Sequence, residues 1–323
     1  MHSPPFQDLP PPPLGKVGWP WTDESVQLSD PPPNEKLWPK ITIITPSLNQ
    51  GVYIEETIRS VLLQGYPDLE YIVIDGGSSD ESVEIIKKYE KYLAHWVSEP
   101  DEGQSDAINK GALLATGTLM NWLNADDSYL PNILKVLAIA HCKAPGNLIA
   151  GNGIFYGEPT GKTTKVYQSH DQNLNDFINY WSGFKWSGQP CWFFPTKVFK
   201  DSEFLDISLH FAMDRDILMR VWKTCSVTYV DNFLVKFRQH SRQKTDKYEI
   251  EAIVESMLEV HPRYLYQLSP TQRQKYVVSC MRTLIRLALR KLVERNPKDA
   301  LKLLGSTKML WDSRKSFFQG SLL

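Results

Sequence analysis

From Ile41 onward, short apolar runs alternate with segments whose apolar residues recur every three or four positions. Residues 41–45 (Ile-Thr-Ile-Ile-Thr) read as a buried strand. Ile54, Ile58, Val61 and Leu62 then share one helical face, and residues 71–75 read as a second strand, so a βαβ unit is expected. A further helix follows with Val83, Ile86, Tyr89 and Leu93 on one side, its start capped by Ser79 or Asp80. Residues 95–98 form a third strand and 104–115 a helix closed by Gly117. Residues 119–123 form a strand that ends in Asn124-Ala125-Asp126-Asp127. Alternating strands and helices predict an α/β fold with a Rossmann-like, mostly parallel sheet, whose ligands bind beyond the carboxyl ends of the strands.

Past Pro131, which suits a helix start, the order loosens. Residues 149–156 and 163–167 suggest a hairpin or edge strands, and 214–223 a helix with Ile217, Leu218, Val221 and Trp222 inward. Residues 227–237 read as a strand or two, and the tail from about Thr271 is helical. The second half is therefore expected to be mixed. Before Ile41, Pro10-Pro11-Pro12-Pro13 and Pro31-Pro32-Pro33 rule out regular helix and sheet, so residues 1–40 form a linker or embracing arm, with Trp19, Trp21 and Trp38 as its anchors if it docks. The expected organisation is an arm (1–40), one catalytic domain (41–245) split into halves 41–130 and 131–245, and a helical extension (246–323).

Composition narrows this picture. A chain of 323 residues suits one large domain with an appendage. A net charge of -1 gives no general attraction to nucleic acid, so partners must be read by local sites. Cys142, Cys191, Cys225 and Cys280 form no C-x-x-C pair, which argues against a zinc ribbon or disulfide framework and suits the cytoplasm. No run approaches the roughly 18 to 20 apolar residues of a membrane span.

Candidate chemistry gathers at the strand ends. Asp75-Gly76-Gly77-Ser78-Ser79-Asp80 ends the second strand; its aspartate can accept bonds from a base or ribose, or the segment is simply a turn. Asp126 and Asp127 can converge on a hard cation such as Mn2+ or Mg2+ that also neutralises a diphosphate, or form an acidic turn. Asp106, Asn109 and Lys110 share a helical face that can meet donor phosphates or be merely solvated, while Ala107, Ile108 and Gly111 suit packing. The loop carrying Trp186 and Gln189 can line an acceptor pocket. Asp214 and Asp216 open a helix, where negative charge is favoured whether or not it does chemistry. Residues 238–244 gather Arg238, His240 and Lys244, side chains that suit phosphate or metal.

Taken in order, Thr45-Pro46-Ser47-Leu48-Asn49, Asp75 to Asp80, Ser98-Glu99-Pro100-Asp101-Glu102-Gly103, Asp106-Ala107-Ile108-Asn109-Lys110-Gly111 and Asn124-Ala125-Asp126-Asp127 resemble the family 2 glycosyltransferases of GT-A fold. The resemblance covers about residues 41–244. It implies an inverting, metal-dependent transfer of a sugar from a nucleotide-diphosphate donor, a UDP-sugar, to a saccharide or lipid-linked acceptor. On it, the donor side comprises Pro46, Ser47 and Asn49, then Asp75, Gly76 and Ser78, with Asn124, Ala125 and Asp126 beyond them. Asp126, Asp127 and His240 would hold the metal. Met213 stands where the family often has glutamate, so Asp214 is the implied base and Asp216 its competitor. The first D-x-D position falls on Asn124 or Ala125, which shifts the expected coordination toward Asp127. Rival readings are a sugar nucleotidyltransferase, whose glycine-rich loop is missing after the first strand, and a non-catalytic carbohydrate-binding protein. In the tail, Arg282, Arg286 and Arg290 recur beside Met281, Leu284, Ile285, Leu289 and Leu292. This basic amphipathic helix can pack on the body or make a peripheral contact with an anionic membrane.

Overall fold

The computed structural model describes residues 3–32, 35–158, 161–169, 177, 188–243 and 248–312. In chain order these form β1 (Ile41–Ser47), α1 (Ile54–Leu62), β2 (Leu69–Asp75), α2 (Ser82–Tyr89), β3 (His95–Ser98), α3 (Gln104–Leu114) and β4 (Leu119–Trp122). Then follow β5 (Ser128–Tyr129), α4 (Ile133–Lys143), β6 (Leu148–Gly157), β7 (Lys162–Tyr167), β8 (Trp192–Pro195) and α5 (Thr196–Asp201). The remainder is α6 (Met213–Trp222), β9 (Val227–Gln239), α7 (Glu249–Glu255), α8 (Pro270–Val293) and α9 (Pro297–Asp312). The chain divides into two compact units: residues 1–170, 187–208 and 220–240, and residues 171–186, 209–219 and 241–323.

The first unit is built on a nine-stranded sheet in the order β3-β2-β1-β4-β8-β6-β9-β5, with β7 paired to β6. β3, β2, β1 and β4 are parallel; β8 runs antiparallel to its neighbours and β9 parallel to β6. The expected hairpin of β6 and β7 is present. The two-residue β5, which the sequence does not announce, pairs with β9. β1 matches β2 residue by residue from Ile41–Leu69 to Ser47–Asp75, yet pairs with β4 only as far as Ile44–Trp122. Beyond Ile44 the two strands part, and strand order reverses between them, which makes the crevice where ligands of open α/β sheets bind. Pro46 sits in this parted stretch, where its missing N–H leaves no ladder bond unmade. Gly111 of α3 lies against β1 so closely that a Cβ there would stand 2.6 Å from Ile44 Cγ2, which explains a glycine inside a helix.

The N-terminal arm is docked. Arg59 of α1 is fully buried and donates to the carbonyls of Pro20 (3.0 Å), Pro10 (2.8 Å) and Trp21 (2.9 Å) and to the Tyr89 hydroxyl (3.1 Å). Its guanidinium also lies 5.7 Å from the rings of both Phe6 and Trp21. Trp19 Nε1 donates to the Tyr129 carbonyl at 2.7 Å, and Trp21 and Trp38 are buried. Proline-rich backbone has unused carbonyls, and a buried cation with several donors collects them.

In the second unit, α8 begins with a capping box formed by Ser269 and Gln272, with Pro270 at its first position. Tyr276, Val277, Cys280, Leu284 and Ala288 of α8 are buried, as are Ala300, Leu303 and Leu310 of the adjoining α9. The helical tail read from the sequence is thus present, with Leu284 alone of its Leu and Ile residues fully buried on α8. Among the described residues no helix is long and apolar enough to cross a membrane.

Replacing Arg59 with Met should free the arm. We expect rapid proteolytic cleavage within residues 3–25 and a stability loss of roughly 2 to 4 kcal/mol, because charged hydrogen bonds contribute about 1.5 to 3 kcal/mol each and the buried methionine offsets a large part of what is lost. Limited proteolysis and urea titration read the two effects.

Candidate functional site

Five stretches read as chemical in the sequence meet at the carboxyl ends of β1, β2, β3 and β4. Gly76 N–H donates to the Ser47 carbonyl (2.8 Å), and the Ser78 hydroxyl accepts from Asn49 N–H (2.7 Å) while donating to Asp75 Oδ1 (2.6 Å). Asn49 Oδ1 in turn accepts from Ser79 N–H at 2.9 Å. A Cβ at Gly76 would stand 2.6 Å from Asp101 Oδ2, so a larger residue there would push the Asp101 carboxylate aside. The loops after β1 and β2 therefore form one interlocked rim.

Asp75 is the carboxylate expected to meet a base or ribose. It is fully buried, and its Oδ2 accepts from Ser78 N–H (2.8 Å) and the Ser98 hydroxyl (2.7 Å). With three protein donors on it, this carboxylate holds the rim together. Asp106 accepts from Glu102 N–H (3.1 Å), and Lys110 bridges Asp106 (3.3 Å) and Glu99 (3.4 Å). Asn109 exchanges bonds of 2.9 Å with the backbone of Leu205. Ala107 and Ile108 are buried, in line with packing.

In the turn after β4, Ala125 and Asp127 are buried, whereas Asn124 and Asp126 are partly exposed. The outward pair is therefore Asn124 and Asp126, with Ala125 between them. Gln104 Nε2 donates to Asn124 Oδ1 at 2.8 Å. Asp126 Oδ2 lies 3.1 Å from His240 Nε2. Asp127, the residue favoured by sequence for the metal, is 4% exposed and accepts from Arg238 N–H at 3.0 Å. Burial, then the neighbouring Asp126 charge, push its carboxyl well above the usual carboxylate range. Its position suits it to hold β9 against the turn.

α1 fixes this turn with a face the sequence reading did not use. Tyr53, Glu56, Thr57, Ser60 and Gln64 recur at helical spacing on the side away from its apolar residues. The Thr57 hydroxyl lies 2.9 Å from the Ala125 carbonyl and 2.7 Å from that of Asp127. Ser60 Oγ accepts from Tyr129 N–H (3.1 Å), and Gln64 bonds Leu130 O and Ile133 N–H (both 2.9 Å). Glu56 meets Arg238 Nη2 at 2.8 Å. Arg238 also donates through Nε to the Asp126 carbonyl (3.0 Å), pairs with Glu158, and lies 5.0 and 5.1 Å from the Tyr53 and Tyr156 rings. The Tyr53 ring packs 4.5 Å from that of His240. A polar stripe on an otherwise buried helix was the signal for this set.

Gln189, read as an acceptor residue, is 5% exposed; its Nε2 donates to Asn121 Oδ1 (2.7 Å), and it ties the 188–191 turn to β4. Trp186 and Lys244 lie outside the described residues. In the second unit, Glu255 accepts from the N–H groups of His210 (2.8 Å), Phe211 and Ala212 (both 2.6 Å), an anion at the start of α6. Asp214 is half-buried at that start, accepts from Arg215 N–H (2.7 Å), and desolvation raises its carboxyl to about 6. Asp216, the competing base, is 1% exposed and bonded to Tyr264 Oη (2.7 Å) and Arg263 Nη1 (3.3 Å).

Among the described residues no group of three or more His, Cys, Asp and Glu could by itself enclose a metal. Asp126 and His240 nevertheless offer an oxygen and a nitrogen at one spot. This suits Mn2+ or Mg2+ held jointly by a few side chains and substrate phosphates.

Comparison with known proteins bears on the family and the fold. A glycosyltransferase of Mycobacterium tuberculosis is 40% identical over 92 residues, 28% of this chain and 35% of that protein. One of Rickettsia typhi is 27% identical over 220 residues, covering 64% and 66%. A PGL/p-HBAD biosynthesis glycosyltransferase of Mycobacterium bovis is 33% identical over 123 residues, covering 36% and 47%. The chain thus spans about one third to two thirds of the length of these curated relatives. Two solved structures share the fold. S. aureus TarS 1–349 in complex with UDP-GlcNAc has a TM-score of 0.55 at 16% identity, covering 87% of this chain and 92% of that one. The Pyrobaculum calidifontis mannosyltransferase PcManGT in complex with GDP-Man and Mn2+ has a TM-score of 0.52 at 17% identity, covering 86% and 88%. The profile of Glycosyl transferase family 2 matches residues 42–222, more than half of the chain, and the protein belongs to that family.

Proposed function

We propose that the protein is a metal-dependent inverting glycosyltransferase that moves a sugar from a nucleotide-diphosphate donor, a UDP-sugar, to a hydroxyl of a glycan or lipid-linked saccharide. The observation that carries this reading is Asp126 and His240, 114 residues apart in sequence and 3.1 Å apart in space, beside the parted ends of β1 and β4. The UDP-GlcNAc in TarS and the GDP-Man and Mn2+ in PcManGT support a nucleotide-sugar donor and a divalent cation. Family membership weighs against a nucleotidyltransferase, and a partly exposed Asp126 beside His240 weighs against a non-catalytic protein.

The rim of Pro46, Ser47, Asn49, Gly76 and Ser78 receives the nucleotide, with Asp75 holding that rim in shape. Asn124, Asp126, Asp106 and Lys110 line the diphosphate and sugar side. Asp126 and His240 would hold the cation, whose chemistry is to offset charge on the departing diphosphate. Asp214 takes the proton of the acceptor hydroxyl. The acceptor oxygen bonds to the anomeric carbon as the bond to the diphosphate breaks, and the nucleoside diphosphate leaves with the electron pair. One displacement inverts the anomeric centre. Asp214 suits the role because its raised carboxyl can accept and release a proton near neutrality, while Asp216 already has protein partners.

Two experiments test this. A thermal-shift series with UDP and Mn2+ should raise the melting temperature of the natural chain and of Asp127→Asn, but not of Asp126→Ala or His240→Ala, since a ligand stabilises only the state that binds it. Asp127→Asn should keep or slightly raise its own melting temperature, because the amide oxygen can still accept from Arg238 N–H while a buried charge beside Asp126 is removed. If Asp126→Ala keeps its Mn2+-dependent shift, the assignment is wrong.

For Asp214, the base form exists only above its pKa. Transfer at saturating substrate should therefore fall as pH drops through about 6. The folded carboxyl lies above the ordinary value of 3.8, so its ionisation lowers stability as pH rises from about 3.8 to 6. Asp214→Asn should remove that stability change and lower kcat by about 100- to 10,000-fold. Full activity in Asp214→Asn would exclude it as the base.

A further inference from the structure

α8 carries two apolar faces, and packing accounts for one. Opposite its buried side, Val278, Ile285, Leu289 and Leu292 are 39%, 40%, 59% and 50% exposed. Their spacing of seven, four and three residues sets them in one stripe along the helix. Arg282, Arg286 and Arg290, four apart and all exposed, form a ladder on its flank. α9 repeats the arrangement: away from its buried side, Leu301 (69%), Leu304 (44%) and Trp311 (49%) are exposed around Lys308.

Residues 278–312 hold eight Lys or Arg against three Asp or Glu, in a chain whose net charge is -1. What covers these stripes must accept aliphatic and indole side chains and supply negative charge along a 24-residue helix. A second copy of the same hairpin would set arginine ladder against arginine ladder, which like-charge repulsion opposes. An anionic bilayer surface supplies both: phosphate headgroups for the Arg ladder and an acyl boundary for the stripe, with tryptophan at the interface it favours.

We propose that the exposed faces of α8 and α9 form a peripheral docking surface for an anionic lipid bilayer. This assignment stands independently of the transfer reaction, because it rests on residues outside the strand-end site.

The test is co-sedimentation of the full chain with vesicles of equimolar phosphatidylglycerol and phosphatidylcholine, compared with phosphatidylcholine alone. Binding should be at least about tenfold tighter to the anionic vesicles, and should weaken steeply at about 0.5 M NaCl, where screening shortens the reach of the arginines. The double variant Leu289→Glu, Leu292→Glu changes only residues that are at least half exposed, so it should keep its melting temperature while losing binding about tenfold or more. Arg282→Gln with Arg286→Gln should bind more weakly and with a shallower salt dependence. Three results would overturn the proposal: no binding of the natural chain to anionic vesicles, equal binding by the Leu double variant, or a dimer in sedimentation velocity that this variant converts to monomer. The last would give the surface to a second copy.

Discussion

A guanidinium with almost no access to water is the constraint on which the candidate donor site depends. Arg238 has a side chain 8% exposed, so its charge and its donors must be met by protein. They are met by Glu56 from α1, Glu158 after β6, the Asp126 carbonyl, and the rings of Tyr53 and Tyr156. Each of these contacts draws a different element to the turn after β4. The same residue uses its backbone N–H on Asp127, so β9 and the acidic turn are joined twice. Once Arg238 is fixed, His240 comes within reach of Asp126. Removing any one carboxylate would leave a buried cation less compensated, a change that costs far more than a surface ion pair contributes.

α1 is the second support, and it shows how one helix can serve two purposes. Its apolar residues Ile54, Ile58, Val61 and Leu62 join the core, and Arg59 gathers the proline-rich arm. Its remaining face is given to Thr57 and Ser60, which hold the backbone of residues 125–129, and to Glu56, which pairs with Arg238. The arm reaches the same place through Trp19 and the Tyr129 carbonyl. The turn that would meet the donor is thereby held by backbone carbonyls and amides, leaving Asn124 and Asp126 to point outward.

The second unit treats its acidic residues differently. Asp216 and Glu255 are absorbed by local bonding, the one to Tyr264 and Arg263, the other to three consecutive N–H groups ahead of α6. Asp214 remains half-buried with a carboxyl raised to about 6. The start of α6 thus meets one carboxylate that stabilises it and carries another whose pKa is raised to about 6 by desolvation.

The sequence by itself determined the alternation of β1 to β4 with α1 to α3, the strand ends where polar motifs collect, the hairpin of β6 and β7, and the helical tail, because hydrophobic periodicity is local and survives without neighbours. It also identified the family through motifs in order. Other features came only from the tertiary structure. Asp126 rather than Asp127 faces outward, because a turn alternates its side chains and the clamp from α1 sets the phase. Asp75 and Gln189 are turned inward, since Ser78, Ser98 and Asn121 supply partners from other segments. The arm docks because a buried arginine needs carbonyls, and β5 forms because β9 runs beside it. A carboxylate, an amide or an arginine looks the same in sequence whether it will meet a ligand or a neighbour, and only the fold decides which of them finds its partners inside the protein.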